Sequence, residues 1–320
     1  MAVPLTASRM LAALKAEGCT VVETKGWSTR GRDIPTGKPF GPVHGVMTHH
    51  TGSDTSDPAG YVQRILVDGY SGLPGPLCHV GIDTLGRVWM VSSGRSNHAG
   101  GGDGPGGSQD VLARVTADLM PYDGEVHPTE RNLGGDDGND VYYGAEVMYS
   151  GGHPMTEKQY AATVLWNAAI CRAHGWTAGS CLGHREWSMD KPDPGHCDMA
   201  QLRRDVRARL AVPLGHPTPP RRPQVSLAAL VKAARHDPGA RQGATTAGSA
   251  DDVRVVEAAL VRERYLPDGY AHDGSYGTKT VTAYAAWQRE CGYTGKGADG
   301  IPGRASLTKL GARYGFDVIA

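Results

Sequence analysis

Between residues 213 and 224 the chain carries Pro217, Pro219, Pro220 and Pro223 beside Arg221 and Arg222. Proline fixes φ and has no amide hydrogen, so neither a helix interior nor a central strand runs through such a stretch. It reads as a semi-rigid linker that divides the 320 residues into a part spanning 1–212 and a part spanning 225–320. The length suits two domains. The two parts also differ in texture. Histidines cluster only in the first.

In the first part, helical and extended segments alternate. Thr6 is placed to cap a helix with Met10, Leu11 and Leu14 on one face and Gly18 at its end. Val21 and Val22 begin an extended segment, and Gly26 to Gly41 reads as a long polar surface loop. Val43 to Thr51 reads as a strand, and Ala59 to Leu66 as a short helix. Leu77–Ile82 and Arg87–Val91 form a hairpin about Asp83-Thr84-Leu85-Gly86, with Gly86 at positive φ. A glycine cluster ending at Gly107 reads as a mobile loop, and Asp136 to Asp140 as a solvated turn. Val141 to Met148 is a strand that places Glu146 among apolar neighbours, where an unpaired carboxylate is costly. Thr156 and Gln159 form a capping box for a helix running to His174-Gly175, and Asp198 with Gln201 forms another. The expected class is mixed α/β, a central sheet flanked by helices.

The stretch Gly183 to Gly195, G-H-R-E-W-S-M-D-K-P-D-P-G, puts His184, Lys191 and Asp193 into one loop. Imidazole and carboxylate are good zinc ligands, and a catalytic zinc site uses three protein ligands. The third ligand is sought in V-M-T-H-H-T-G, residues 46–52. His49 and His50 point to opposite faces of a strand, so only one can serve, and spacing does not say which.

The 33 basic residues balance the 33 acidic ones, which gives no footprint for nucleic acid. No apolar run spans a bilayer, so membrane insertion is not expected. Met1 to Thr6 lacks the charged start and apolar core of a secretory signal, so synthesis in the cytoplasm is expected. The six cysteines are scattered, without a C-x-x-C pair, and read as small buried residues.

Beyond the linker, Ser226–Ala234 and Asp252–Val261 are amphipathic. D-G-S-Y-G-T-K-T from Asp273 and D-G-I-P-G-R-A-S from Asp299 each precede a helix, a short internal repeat. Tyr276, Tyr284 and Trp287 there suit either a binding surface or a core.

Five landmarks in order resemble the type 2 N-acetylmuramoyl-L-alanine amidases, which share a fold with the peptidoglycan recognition proteins. They are V-M-T-H-H-T-G, C-H-V-G-I-D-T-L-G-R-V-W, N-H-A-G, Y-G-A-E-V and G-H-R-E-W…K-P-D-P-G. Residues 225–320 resemble a small all-α, three-helix peptidoglycan-binding module, and the pairing resembles a phage endolysin. The resemblance implies one zinc per chain, held by His49, His184 and Asp193, with Cys197 the rival third ligand. It implies Glu146 as general base and Lys191 as oxyanion stabiliser, with Asn97, His98 and His79 lining the substrate groove. The implied reaction is hydrolysis of the amide joining N-acetylmuramic acid to L-alanine in bacterial peptidoglycan. The implied setting is host lysis, with a phage holin giving access to the wall. A non-catalytic peptidoglycan receptor and a zinc peptidase acting within the stem peptide are the alternatives.

Overall fold

The computed structural model describes residues 2–130, 136–216, 223–271 and 273–320. The chain divides into two compact units, Met1–Pro219 and Pro220–Ala320. Residues 217–222 of the expected linker lie outside the described residues.

The strands are β1 (Thr20–Glu23), β2 (Gly45–His50), β3 (Gly69–Tyr70), β4 (Leu73–Pro74), β5 (Val80–Ile82), β6 (Arg87–Met90), β7 (Tyr142–Val147) and β8 (Cys181–Gly183) in the first unit. The second unit adds β9 (Gln224–Ser226) and β10 (Asp317–Ile319). Six strands form one sheet in the order β1-β6-β5-β7-β2-β8, and β3 and β4 form a separate small hairpin. Every pairing in the large sheet is parallel except β5 with β6, the expected hairpin, where Gly86 has φ +77°. The first unit is therefore mixed α/β.

Alternation along the strands sorts side chains between two cores. Val46, Tyr143, Ala145 and Val147 face Met10, Leu14, Trp166, Ile170, Leu202 and Val206 of the helices Ala7–Glu17, Glu157–His174 and Met199–Leu210. Met47, Tyr142 and Leu182 face the other way, against Val111, Val115, Met120 and Trp187. The long helix starts as expected, because Thr156 and Gln159 satisfy each other's backbone groups. At the next helix only half of the expected box forms. Asp198 accepts from the Gln201 amide, while the Gln201 side chain donates to Asp205.

Three expectations change for one reason, that buried or partly buried carboxyl groups tie loops together. The 26–41 segment is not a plain surface loop, since Trp27 is buried and Asp33 accepts from the amides of Phe40 and Arg95. The glycine cluster is anchored by buried Asp103, which accepts from the Val111 amide at 3.0 Å. The acidic 136–140 segment is a junction instead of a solvated turn, with Asp137 and Asp140 clasping buried Arg95. A smaller change is that the helix beginning at Pro58 continues as a π-helix over Val62–Val67.

Among its described residues the second unit has four α-helices, Leu227–His236, Ala250–Arg262, Thr278–Glu290 and Arg304–Tyr314, and β9 pairs in parallel with β10. This is one helix and a strand pair more than the three-helix expectation. Strands of three residues are too short to show periodicity. The repeat is structural, because the Ser275 amide donates to Asp273 Oδ1 and the Ile301 amide to Asp299 Oδ1, both at 2.9 Å. Tyr276, Tyr284 and Trp287 are core residues, and their polar atoms are met by Gly300, Ser306 and the Ser306 carbonyl.

Candidate metal centre

β7, β2 and β8 lie side by side and parallel, so their carboxyl ends emerge at one edge of the sheet. Ligand sites of open α/β sheets gather at such edges. His49 is the penultimate residue of β2, and Glu146 pairs with it in register on β7. His184 follows directly on β8. Alternation places His49 and Glu146 on the face away from the long helices.

The structure brings His49, His184 and Asp193 together. Each is under one-tenth exposed, at 1%, 3% and 8%. His49 Nδ1 lies 3.0 Å from His184 Nδ1 and 3.0 Å from Asp193 Oδ2, and His184 Nδ1 lies 3.1 Å from the same oxygen. The other ring nitrogens are engaged elsewhere. His184 Nε2 faces the Ala99 carbonyl at 3.0 Å, and His49 Nε2 faces His98 Nδ1 at 3.0 Å. Three electron-rich atoms thus close a small buried triangle. Tetrahedral zinc with bonds of about 2.0–2.1 Å keeps its ligand atoms roughly 3.3 Å apart, so the residues fit such an ion. Cys197 does not join the triangle. It packs in the core on the helical side, and its carbonyl accepts from Arg185.

Electrostatics at the site are uneven. Burial and then the neighbouring His184 push His49 down to about 4. Glu146 moves the opposite way. Burial, then the charge of Asp193, lifts its carboxyl well above the usual value, against the pull of Lys191. Its Oε2 is buried, and no described residue hydrogen-bonds to it. Lys191 itself is exposed on the loop that carries Asp193.

The loop is fastened from several sides. Arg185 donates to the carbonyls of Pro194 and Cys197 and is paired with Glu125. His50, on the opposite face from His49, accepts from the Gly195 amide at 2.8 Å, and the Tyr149 hydroxyl donates to the Gly195 carbonyl. The Asp193–Pro194 peptide is cis.

The expected groove residues are placed differently. His98 has both ring nitrogens occupied, by His49 and by the Tyr142 carbonyl at 3.1 Å, so none is left for a substrate. Its ring lies against Gly144, where a Cβ would come within 2.6 Å, so the strand needs glycine there. His79 has no exposed surface and packs among Phe40, Tyr143 and His98, which removes it from a groove wall. Asn97 is half-buried and donates to the Pro74 carbonyl at 2.7 Å, pinning β4. Sequence reasoning missed Asn139, whose Oδ1 accepts from the amides of both His98 and Ala99. No pattern flanking Asn139 announces that role, since its partners lie about forty residues away.

Residues 39–196 match the model of a family described as N-acetylmuramoyl-L-alanine amidase. The match takes in every residue of the triangle together with Glu146 and Lys191, and it supports placing the first unit in the type 2 amidase family. No curated protein matches the chain. Among solved structures, the N-acetylmuramoyl-L-alanine amidase LysC from Clostridium intestinale is similar over 60% of this chain and 97% of its own, at 14% identity and a TM-score of 0.37. Drosophila peptidoglycan recognition protein SD is similar over 57% of this chain and 93% of its own, at 16% identity and a TM-score of 0.35. A selenomethionine derivative of AmpD is similar over 58% and 93%, at 16% identity and a TM-score of 0.38. At such scores these likenesses carry no argument about function.

Proposed function

We propose that the first unit is a zinc-dependent N-acetylmuramoyl-L-alanine amidase (EC 3.5.1.28), cleaving the amide between N-acetylmuramic acid and L-alanine in bacterial peptidoglycan. The observation that carries this reading is the buried triangle of His49, His184 and Asp193, with an oxygen of Glu146 on the adjoining strand that no described residue meets. One zinc bound there activates water near neutral pH and polarises the scissile carbonyl. His49, His184 and Asp193 would hold the ion. Glu146, whose carboxyl burial lifts well above the usual value, would take a proton from water and deliver it to the leaving L-alanine amine. Lys191 brings a positive charge to the oxygen that becomes negative as the carbonyl is attacked.

On this reading the chain is a phage endolysin. It is made in the host cytoplasm, reaches the wall through a holin lesion, and uses the second unit to hold peptidoglycan. In that unit Tyr276, Tyr284 and Trp287 support the core, so its wall-binding surface lies on other residues.

Zinc content and wall digestion are measured together on the native chain and on Asp193→Ala. The expected result is about one zinc per native chain with release of new N-terminal L-alanine, and loss of both in the variant. An amine other than L-alanine would establish a stem-peptide peptidase. Zinc binding without any new amine would establish a receptor.

A further inference from the structure

The segment Asn97-His98-Ala99-Gly100 touches both imidazoles of the triangle from behind. We propose that His98 is a positioning residue that fixes the tautomer of His49, and that Asn139 holds it in place for this task. The proposal rests on the zinc-site reading above.

One atom behind the triangle has no choice of role. The Tyr142 carbonyl can only accept a hydrogen bond, so His98 Nε2, 3.1 Å away, carries a hydrogen and donates it. Imidazole is predominantly neutral above its ordinary value of about 6.5. A neutral imidazole with a hydrogen on Nε2 has a lone pair on Nδ1. His49 Nε2 lies 3.0 Å from that lone pair and must donate to it. The hydrogen of neutral His49 is then spoken for, and His49 Nδ1 turns a lone pair toward Asp193 Oδ2 and His184 Nδ1. A backbone carbonyl on β7 therefore dictates, through two rings, which nitrogen of His49 is available as a ligand atom.

The neighbouring residue does the same for the other imidazole. The Ala99 carbonyl accepts from His184 Nε2 at 3.0 Å, which leaves His184 Nδ1 with the lone pair. Both controls sit on adjacent residues, and one side chain sets their position. Asn139 Oδ1 takes the His98 amide at 2.7 Å and the Ala99 amide at 2.8 Å. Asn139 is 8% exposed and lies between Asp137 and Asp140, which grip Arg95. With the clamp removed, His49 is free to place its hydrogen on Nδ1 and donate to Asp193, a tautomer that cannot bind a metal through that atom.

The test is zinc affinity of the full chain, read by competition with a chromogenic chelator, so that it does not depend on turnover. The variants are His98→Leu, which removes the acceptor, and His98→Asn, whose Oδ1 can replace it. Asn139→Leu probes the support, and Asp193→Ala serves as the ligand control. Partners behind a metal-bound histidine typically contribute about 10- to 100-fold in metal affinity. The expected pattern is a loss of that size in His98→Leu, most of it restored in His98→Asn, with a smaller loss in Asn139→Leu. Native-like zinc affinity in folded His98→Leu overturns the proposal while leaving the metal site intact. A loss equal in His98→Leu and His98→Asn also overturns it, because packing alone would then explain the effect. If the native chain and Asp193→Ala bind zinc equally, the site reading itself falls and the proposal with it. Thermal unfolding of each variant separates a misfolded chain from a weakened site. The Asn variant keeps the proposal open to refutation even where the Leu variant fails to fold.

Discussion

Two glutamates of the first unit are wired in opposite ways. Glu186 is fully buried and fully met. Arg203, itself without exposed surface, reaches its oxygens at 2.8 and 3.0 Å, and the amides of Gly183 and Val126 donate to it as well. Glu146 lies on the sheet with one buried oxygen that no described residue meets, beside a carboxylate that repels it. The first arrangement holds a loop. The second leaves a carboxyl lifted well above its usual value, next to a cluster that could hold a cation. Burial is thus no guide to role, and the supply of hydrogen-bond partners is what separates scaffold from chemistry.

Substitution by the neutral isostere should split the pair. In Glu146→Gln, hydrolysis should fall by about 100- to 10,000-fold with no loss of thermal stability, since an ill-matched carboxyl has been removed. Unfolding that shifts downward along with activity would erase the contrast. In Glu186→Gln, Arg203 keeps a buried charge without its partner, and a loss of roughly 3–5 kcal/mol in unfolding free energy is expected. A denaturant titration that barely moves would place Glu186 among dispensable contacts. Lys191→Met should lower turnover by about 100- to 1000-fold while zinc affinity and melting stay near native, because the exposed lysine holds nothing together.

The second unit supplies a third case that sharpens the comparison. Glu257 is fully buried and accepts from Thr280 at 2.6 Å, and its Oε2 has no hydrogen-bond partner among the described residues. Burial lifts it to about 7, helped by Asp273 and Asp237. In the unfolded chain this carboxyl ionises near 4.5, so the unfolded state gains over the folded one as pH rises from about 4.5 to about 7. The unit should therefore lose stability across that window, and Glu257→Gln should flatten the slope. Melting of the full chain at several pH values reads this out, and a slope unchanged by the substitution would count against it. Among the described residues the group that could hold a metal is His49, His184 and Asp193 of the first unit, and that neighbourhood is what sets Glu146 apart from Glu257.

Much of the frame could be read from residue order. β2, the β5–β6 hairpin and the Thr156 box are local, and alternation, a positive-φ glycine and cap spacing announce them. The gathering of His49, His184 and Asp193 followed from ligand chemistry plus family resemblance, because spacing alone left His49 and His50 open. What stayed hidden is non-local. His98 carried the right residue type for a groove wall, and only the Tyr142 carbonyl and His49, on two other strands, show that its nitrogens are taken. Asp137 and Asp140 looked like solvent-facing charges until Arg95 arrived from another segment. The C-terminal aromatics had helical spacing in either case, and only packing shows which way they face.

The strand order has a consequence in time. β2 lies between β7 and β8, which come about a hundred residues or more later in the chain. Pairings across such separations form late and slowly. A nascent chain that has emerged as far as Val147 has His49 and Glu146 but neither of the other two metal-site residues, and one that ends before residue 193 still lacks the carboxylate. The cluster of His49, His184 and Asp193 can therefore close only once nearly the whole first unit has been synthesised and threaded into its sheet.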